Sequence, residues 1–318
     1  MLTWIADRIV YDFLSLPAGD HLAAALHFFI YDTIKILLLI FAVVSVIAFI
    51  RTFLPGDEIK KWLTKAPFGI GNVAAALFGA VTPFCSCSSI PLFLGFIEAR
   101  IPIGIAFSFI ITSPLVNEVA FVIMGGLFGW NLAIMYAAAG ILLGVIGGLV
   151  LGSLKMENEI ILEDKGYSSK KFLYPKEFKE KINYALKEGL KNLKKLYPFI
   201  LGGMAVGALI HGFVPADFFV NYIGKYHYLS VPLATLIGIP IYAGCSTIVP
   251  VIFGITASGV PLGTSLAFMM SIAGLSLPEA IILKRVMSLK LLLAFFGIVA
   301  LGITIIGLLF NFITLGQV

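Results

Sequence analysis

Long apolar runs recur along the whole 318-residue chain, for example over residues 34–50, 132–151 and 291–310. A run of about 20 apolar residues is long enough to cross the hydrocarbon core of a bilayer. Charged residues make up only 12% of the chain, against about 25% in soluble domains, and the mean hydropathy is +1.04. Because a helix satisfies its own backbone hydrogen bonds in lipid, these runs predict an all-α polytopic membrane protein.

The N-terminal residues and the net charge give further information about how this membrane protein contacts the bilayer. Asp7, Arg8 and Asp12 interrupt the first apolar residues, and no small-residue cleavage site follows. We therefore expect residues 1–22 to be an interfacial amphipathic segment rather than a signal peptide. The net charge of +5 lies in loops, which indicates contact with the membrane surface and no nucleic-acid partner.

Landmarks in the first half recur in the second half at an offset of 158 to 160 residues. A register that holds over so many landmarks predicts a duplication, with a first transmembrane repeat at 30–153 and a second at 190–312. Residues 154–190, which carry much of the Lys and Arg, are then a polar cytoplasmic loop between them. The matching pairs are FLP at 53–55 with FVP at 213–215, CSSI at 87–90 with CSTI at 245–248, Pro91 with Pro250, and IPIG at 101–104 with VPLG at 260–263.

The basic loops predict how the repeats are oriented. Four apolar segments fill the first half, near residues 31–53, 69–98, 101–128 and 130–153. The loops on either side of the last three segments are both basic and should both be cytoplasmic, so one of the three segments must enter the membrane and return. The candidates are the second, interrupted at TPFCSC, and the third, interrupted at ITSPLVNE. Either choice leaves three crossings per half, and an odd number inverts the second repeat relative to the first.

The interrupted segments predict where the site lies. Prolines at 83 and 91 break the helix within an apolar segment, and such breaks survive only where protein or a wet cavity surrounds them. We expect Ser88 and Ser89 to cap a half-helix that starts after Cys87, and Ser246 and Thr247 to do the same after Cys245. The predicted substrate-binding residues are Cys85, Ser86, Cys87, Ser88, Ser89, Ser113, Asn117, Glu118, Cys245, Ser246 and Thr247.

The three cysteines suggest the chemistry of the solute. Thiolates are soft ligands that match soft metals, trivalent arsenic or antimony, and sulfur compounds. The alternative is that each cysteine is a small, inert, buried hydrophobe. The equivalent positions of Cys87 and Cys245 in the two repeats favour a functional role for these two. Three cysteines without a nearby His predict neither a structural zinc site nor any other bound metal.

The third segment adds a carboxyl group. If a helix restarts after Pro114, Asn117 and Glu118 lie in its first turn. Glu118 then either caps that turn or is a proton site within the membrane. The second half has Glu279 near the corresponding place. Because Glu279 is displaced toward the basic cytoplasmic end, we expect it to be a surface carboxylate.

These motifs resemble those of a known family. The stretch TPFCSCSSIPLFLGFIEARIPIGIAFSFIITSPLVNE resembles the signature of the ArsP/YraQ-type permeases, and IPIYAGCSTIVP is similar to its second-half counterpart. Some members of that family export trivalent organoarsenicals, with cysteines implicated in handling arsenic. The resemblance implies that Cys85, Cys87 and Cys245 contact the substrate.

The expected function is therefore transport. We predict a multi-pass permease of the cytoplasmic (inner) membrane that moves a small thiophilic solute by alternating access. The sequence contains no ATP-binding motif and predicts no cofactor and no enzyme activity; self-association into a homo-oligomer is compatible with it. Two alternatives remain open, a membrane thiol–disulfide oxidoreductase and a gated channel.

Overall fold

The fold is described by a computed structural model. It covers residues 2–14, 17, 20–51, 69–82, 86–99, 101–161, 177–213, 229–241, 245–257, 259–284 and 286–315. Within these ranges the chain is helical apart from turns, short connections and one isolated β-bridge. The prediction of an all-α protein is confirmed for this part of the chain.

The helices of the first half are α1 (Leu2–Asp7), α2 (His21–Arg51), α3 (Ile70–Val81), α4 (Ser86–Glu98), α5 (Ile103–Leu115), α6 (Glu118–Phe128) and α7 (Trp130–Ser153). Those of the second half are α8 (Phe178–Phe213), α9 (Ser230–Gly238), α10 (Cys245–Ala257), α11 (Leu262–Gly274), α12 (Leu277–Leu283) and α13 (Leu289–Leu315). A π-helical turn, Arg8–Phe13, follows α1, and α8 runs without a break across position 190.

The helices of the two halves begin in register. Ser86 and Cys245, which begin α4 and α10, are 159 residues apart, and the same offset relates the first residues of α5 and α11, α6 and α12, and α7 and α13. The packing recurs as well, because α5 contacts α3, α4 and α7, while α11 contacts α9, α10 and α13. The described helices of the two halves therefore recur at one offset and with matching contacts.

Several described helices are built to cross a membrane. By length and composition, α7, Leu262–Leu283 (α11 with α12) and Leu289–Thr314 (in α13) can each span it. A fourth candidate is the pair Ile103–Leu115 and Ala120–Phe128, which is bent by 48°. The chain is therefore an integral membrane protein, because such helices are long enough to cross the hydrocarbon core and satisfy their own backbone hydrogen bonds there.

The centre of the protein is formed by α5 and α11. All residues of α5 are buried, so this helix is enclosed by protein on every side. Close approach to α7 depends on glycines, since a methyl group at Gly104 would lie 2.7 Å from the carbonyl oxygen of Gly148. Small residues at helix contacts let backbones pack closely within a membrane, where van der Waals contact replaces the hydrophobic effect as the driving force.

The two halves meet through equivalent elements. The helix α2 packs on α8, α5 on α11, and α7 on α13. Two further contacts are reciprocal, because α4 touches α12 while α6 touches α10. The helices α4 and α10 end the interrupted second segments of the two halves, and α6 and α12 end the third segments. Each second segment therefore packs against the end of the third segment of the other half.

Candidate functional site

Both cysteine-containing segments lead into helices. Cys85 lies outside the described residues, and the backbone enters α4 at Ser86 and α10 at Cys245. Only the backbone is described for Ser86, Cys87, Ser88, Cys245, Ser246 and Thr247. Ser88 and Ser89 therefore lie inside α4 and not at its N-cap, which corrects the predicted start after Cys87 by two residues.

Prolines near these helix starts remove one helical hydrogen-bond donor from each helix. Pro91 and Pro250 have no N–H to donate, so the carbonyl oxygens of Cys87 and Ser246, four residues earlier, cannot receive the usual helical hydrogen bond. Both prolines lie in helical backbone. The cysteine-bearing turns therefore present carbonyl oxygens at equivalent places in the two halves.

Two predicted site residues from different segments form a hydrogen bond. The hydroxyl oxygens of Ser89 on α4 and Ser113 on α5 lie 2.7 Å apart, and either hydroxyl can be the donor. Both side chains are 0% exposed. The contact joins the two interrupted segments of the first half at a point enclosed by protein. It also explains why Ser89 does not cap α4, since its hydroxyl is directed toward α5.

Asn117 and Glu118 lie at the break between α5 and α6. The Asn117 side-chain oxygen accepts a hydrogen bond of 3.4 Å from the Ala120 amide, so Asn117 caps α6. Glu118 begins α6 and is exposed on the protein surface. An acidic residue in the first turn is stabilised by the helix dipole, so the structure places Glu118 in the geometry of the capping alternative.

Glu279 differs from its predicted position. It was expected at the surface, but its side chain is 0% exposed. The reason is that α12 does not run along the surface and instead packs against α4 and α8. Neither carboxyl oxygen of Glu279 has a hydrogen-bond partner among the described residues, and the same is true of the buried Ser276 hydroxyl.

The break that carries Ser276 and Glu279 also touches the second cysteine segment. The Leu277 amide donates a hydrogen bond of 3.0 Å to the carbonyl oxygen of Ile239. Ile239 lies in the turn after α9, a few residues before Cys245. Since α12 also contacts α4, this break lies beside both interrupted second segments.

The candidate site therefore combines unlike groups from the two halves. The first half supplies buried hydroxyls, and the second half supplies a buried carboxyl group. The sequence analysis excluded Glu279 from the site because it predicted a surface position. The one sequence feature that could have indicated a role is that Glu279 lies two residues beyond the position that corresponds to Glu118. Within the described ranges, no three His, Cys, Asp or Glu residues are grouped as a metal site.

These features define an integral membrane protein with paired, interrupted helices that meet around buried polar groups. The chain belongs to the ArsP family, described as predicted permeases, which it matches over residues 21–312. The resemblance predicted from the interrupted segments is confirmed.

The chain is also similar to individual proteins, one of which is named as a permease subunit. The chain is similar to the UPF0718 protein MJ0584 of Methanocaldococcus jannaschii, with 21% identity over 78% of this chain and 84% of that protein. It is 26% identical to a putative two-component membrane permease complex subunit of Streptococcus mutans, over 52% of this chain and 56% of that one. It is 28% identical to the UPF0718 protein YraQ of Escherichia coli, over 32% of this chain and 30% of that protein. No solved structure matches the chain.

Proposed function

We propose that this protein is a secondary permease of the inner membrane that moves a small thiophilic solute, namely an organoarsenical, a soft metal or metalloid, or a sulfur compound. The solute binds at mid-membrane between two inverted repeats, which rock around it to open to each side in turn. The observation that carries the proposal is the buried Ser89–Ser113 hydrogen bond. It brings both interrupted segments of one half together beside the turn that holds Cys87.

A β-bridge supports the inversion of the repeats. Ile160, after α7, pairs with Met287, after α12, and the Ser288 amide donates to the Glu159 carbonyl oxygen over 2.8 Å. The two segments therefore lie on the same side of the membrane, and an even number of crossings separates them. Between them run α8, the α9–α10 segment and Leu262–Leu283, which is long enough to cross. If α8 crosses through its apolar second half, the α9–α10 segment must enter and return.

The bend between α5 and α6 supports the same assignment in the first half. A change of direction of 48° leaves the chain running onward, whereas a re-entrant hairpin must reverse it. The third segment is then a bent span, and the second segment, α3 with α4, enters and returns. Three crossings per half follow, with the chain interrupted at TPFCSC near the middle of the membrane.

This arrangement suggests how a solute is held. The carbonyl oxygens that lose their helical donor to Pro91 and Pro250, and the hydroxyls of the CSS and CST motifs, bind the polar part of the solute. The thiolates of Cys87 and Cys245 engage its soft atom from opposite repeats, with Cys85 close to the first. Rocking of the repeats separates these groups, which releases the solute to the other side.

Ligand-induced stabilisation tests the proposed solute class. We expect methylarsenous acid, a trivalent organoarsenical, to raise the thermal unfolding midpoint of the purified protein, because a ligand that binds only the folded state stabilises it. The comparison compounds are thiosulfate, sulfite and a soft metal ion. The control is the chain with Cys85, Cys87 and Cys245 all changed to Ser, which should not respond to the arsenical.

The same preparation separates the alternatives. A thiol–disulfide oxidoreductase would change its gel mobility with redox state and would turn over without moving any solute. A channel would conduct without saturation. If none of the four compounds stabilises the wild-type protein, or if the shift persists in the triple Ser variant, a thiolate-based solute site is wrong.

A further inference from the structure

We propose that Glu279 is the proton-carrying group of this permease and couples proton movement to solute movement. The inference rests on the proposed function and names the coupling ion and the residue that carries it. The Glu279 side chain is 0% exposed, and neither of its oxygens has a hydrogen-bond partner in the part of the chain that the structure describes. An ionised carboxylate is strongly disfavoured in such surroundings, whereas a neutral carboxyl group is tolerated. The buried arrangement therefore holds the proton.

The position of Glu279 links it to the moving parts. Its helix, α12, contacts α4 of the other half, and the Leu277 amide is hydrogen-bonded to Ile239 in the turn that leads to Cys245. Any movement of either interrupted segment relative to α12 changes what covers the carboxyl group. Alternating access thus exposes Glu279 to water in one state and covers it in another.

The other titratable groups around α12 come from the elements that pack against it. On α4 they are Cys87 and Glu98, and after α12 they are Lys284 and Arg285. The helix α8 carries Lys179, Glu180, Lys181, Tyr184, Lys187, Glu188, Lys191, Lys194, Lys195, Tyr197 and His211. None of the described ones among these residues hydrogen-bonds to the Glu279 carboxyl oxygens.

A proton fits this place better than a metal cation does. A hard cation requires several oxygens converging on one point. The Ser276 hydroxyl and the Glu279 carboxyl are both buried without a partner and do not bond to each other. A proton needs only the carboxylate itself. On exposure the O–H bond breaks, its electron pair stays on the carboxylate and the proton passes to water; protonation reverses this before the group is covered again.

The test compares the same neutral substitution at a buried and at an exposed glutamate. Glu279→Gln mimics the protonated form in the buried position, and the matched control Glu157→Gln makes the same change in an exposed residue of the 3-10 turn after α7. The wild-type protein at neutral pH should show the infrared C=O band of a neutral carboxyl group. That band should be lost in Glu279→Gln and retained in Glu157→Gln.

Transport in proteoliposomes gives the second readout, with methylarsenous acid as the probe. We expect a pH gradient to drive its accumulation by the wild type and by Glu157→Gln. In Glu279→Gln this accumulation should be abolished, while exchange of labelled for unlabelled probe at equal pH persists. Glu279→Asp keeps a titrating group and should retain gradient-driven transport, which separates proton chemistry from packing.

The outcomes distinguish this inference from the proposed function. If the wild type does not move the probe at all, the proposed solute fails, and the infrared band alone decides whether Glu279 holds a proton. If the wild type transports but the band is absent, or if Glu279→Gln still responds fully to the gradient, Glu279 is not the proton carrier.

Discussion

Gly263→Ala is expected to destabilise the second half of the protein severely. A methyl group at Gly263 would overlap the carbonyl oxygen of Gly307 and would lie 2.6 Å from the backbone nitrogen of Asn311. These are backbone atoms of α13, so relief requires the whole helix to move. The shift would also break the hydrogen bond of 2.7 Å from the Gly263 amide to the Asn311 side chain. Overpacking costs about 1–3 kcal/mol and sometimes more, and we expect at least the upper end.

The measurement is the unfolding midpoint of the purified protein in detergent. The matched control is Gly297→Ala in α13, where a methyl group meets nothing within 4 Å. Because Ala favours the helix over Gly by about 1 kcal/mol, this control should match or exceed the wild type. Equal stability of the two variants would show that α11 and α13 do not approach each other as described.

Cys87→Ser and Cys245→Ser are each expected to abolish transport of methylarsenous acid. Serine is nearly the same size as cysteine, so the fold should survive, but a hydroxyl oxygen is a hard and weakly acidic ligand that cannot replace a thiolate at a soft atom. The two cysteines belong to equivalent CSSI and CSTI motifs. If each supplies one contact from its own repeat, the loss of either should remove the site. Uptake into everted membrane vesicles measures the effect.

Cys85→Ser is the internal comparison for these variants. It makes the same change two residues from Cys87, at a position with no cysteine counterpart in the second half. We therefore expect a smaller loss of uptake. Unchanged uptake in all three variants, with normal amounts of protein in the membrane, would remove the cysteines from the mechanism.

The fold was predictable where it depends on local sequence. The long apolar runs and the small fraction of charged residues predict membrane helices, and this prediction does not depend on how the helices pack. The repeated motifs place α4 and α10 in one register, and the structure begins these helices at Ser86 and Cys245. Proline was a less accurate guide. The predicted break at Pro91 is wrong, because Pro91 lies within α4, as Pro250 lies within α10. Pro114 lies one residue before the end of α5.

The site was less predictable because it depends on contacts between distant segments. At the offset of 159 residues that relates the helix starts, Ser89 and Ser113 correspond to Ile248 and Ile272. The motif match of CSSI with CSTI pairs Ser89 with Thr247 instead, and neither register predicts that the two serines bond to each other. Glu279 precedes Lys284 and Arg285, which made a surface position plausible. Its burial results from the packing of α12 on α4 and α8, and no local pattern reports that contact. Glu118, which seemed the better membrane carboxyl group, lies exposed.

The topology of the chain tests the inverted arrangement most directly. Single cysteines would replace Lys61, after α2, Lys165, in the polar loop, and Lys225, between α8 and α9, in a chain whose native cysteines are Ser. A membrane-impermeant maleimide should label Lys225→Cys in intact cells, and should label Lys61→Cys and Lys165→Cys only after the membrane is opened. Labelling of Lys61→Cys and Lys165→Cys from opposite sides would contradict three crossings per half, and with it a solute site between inverted repeats.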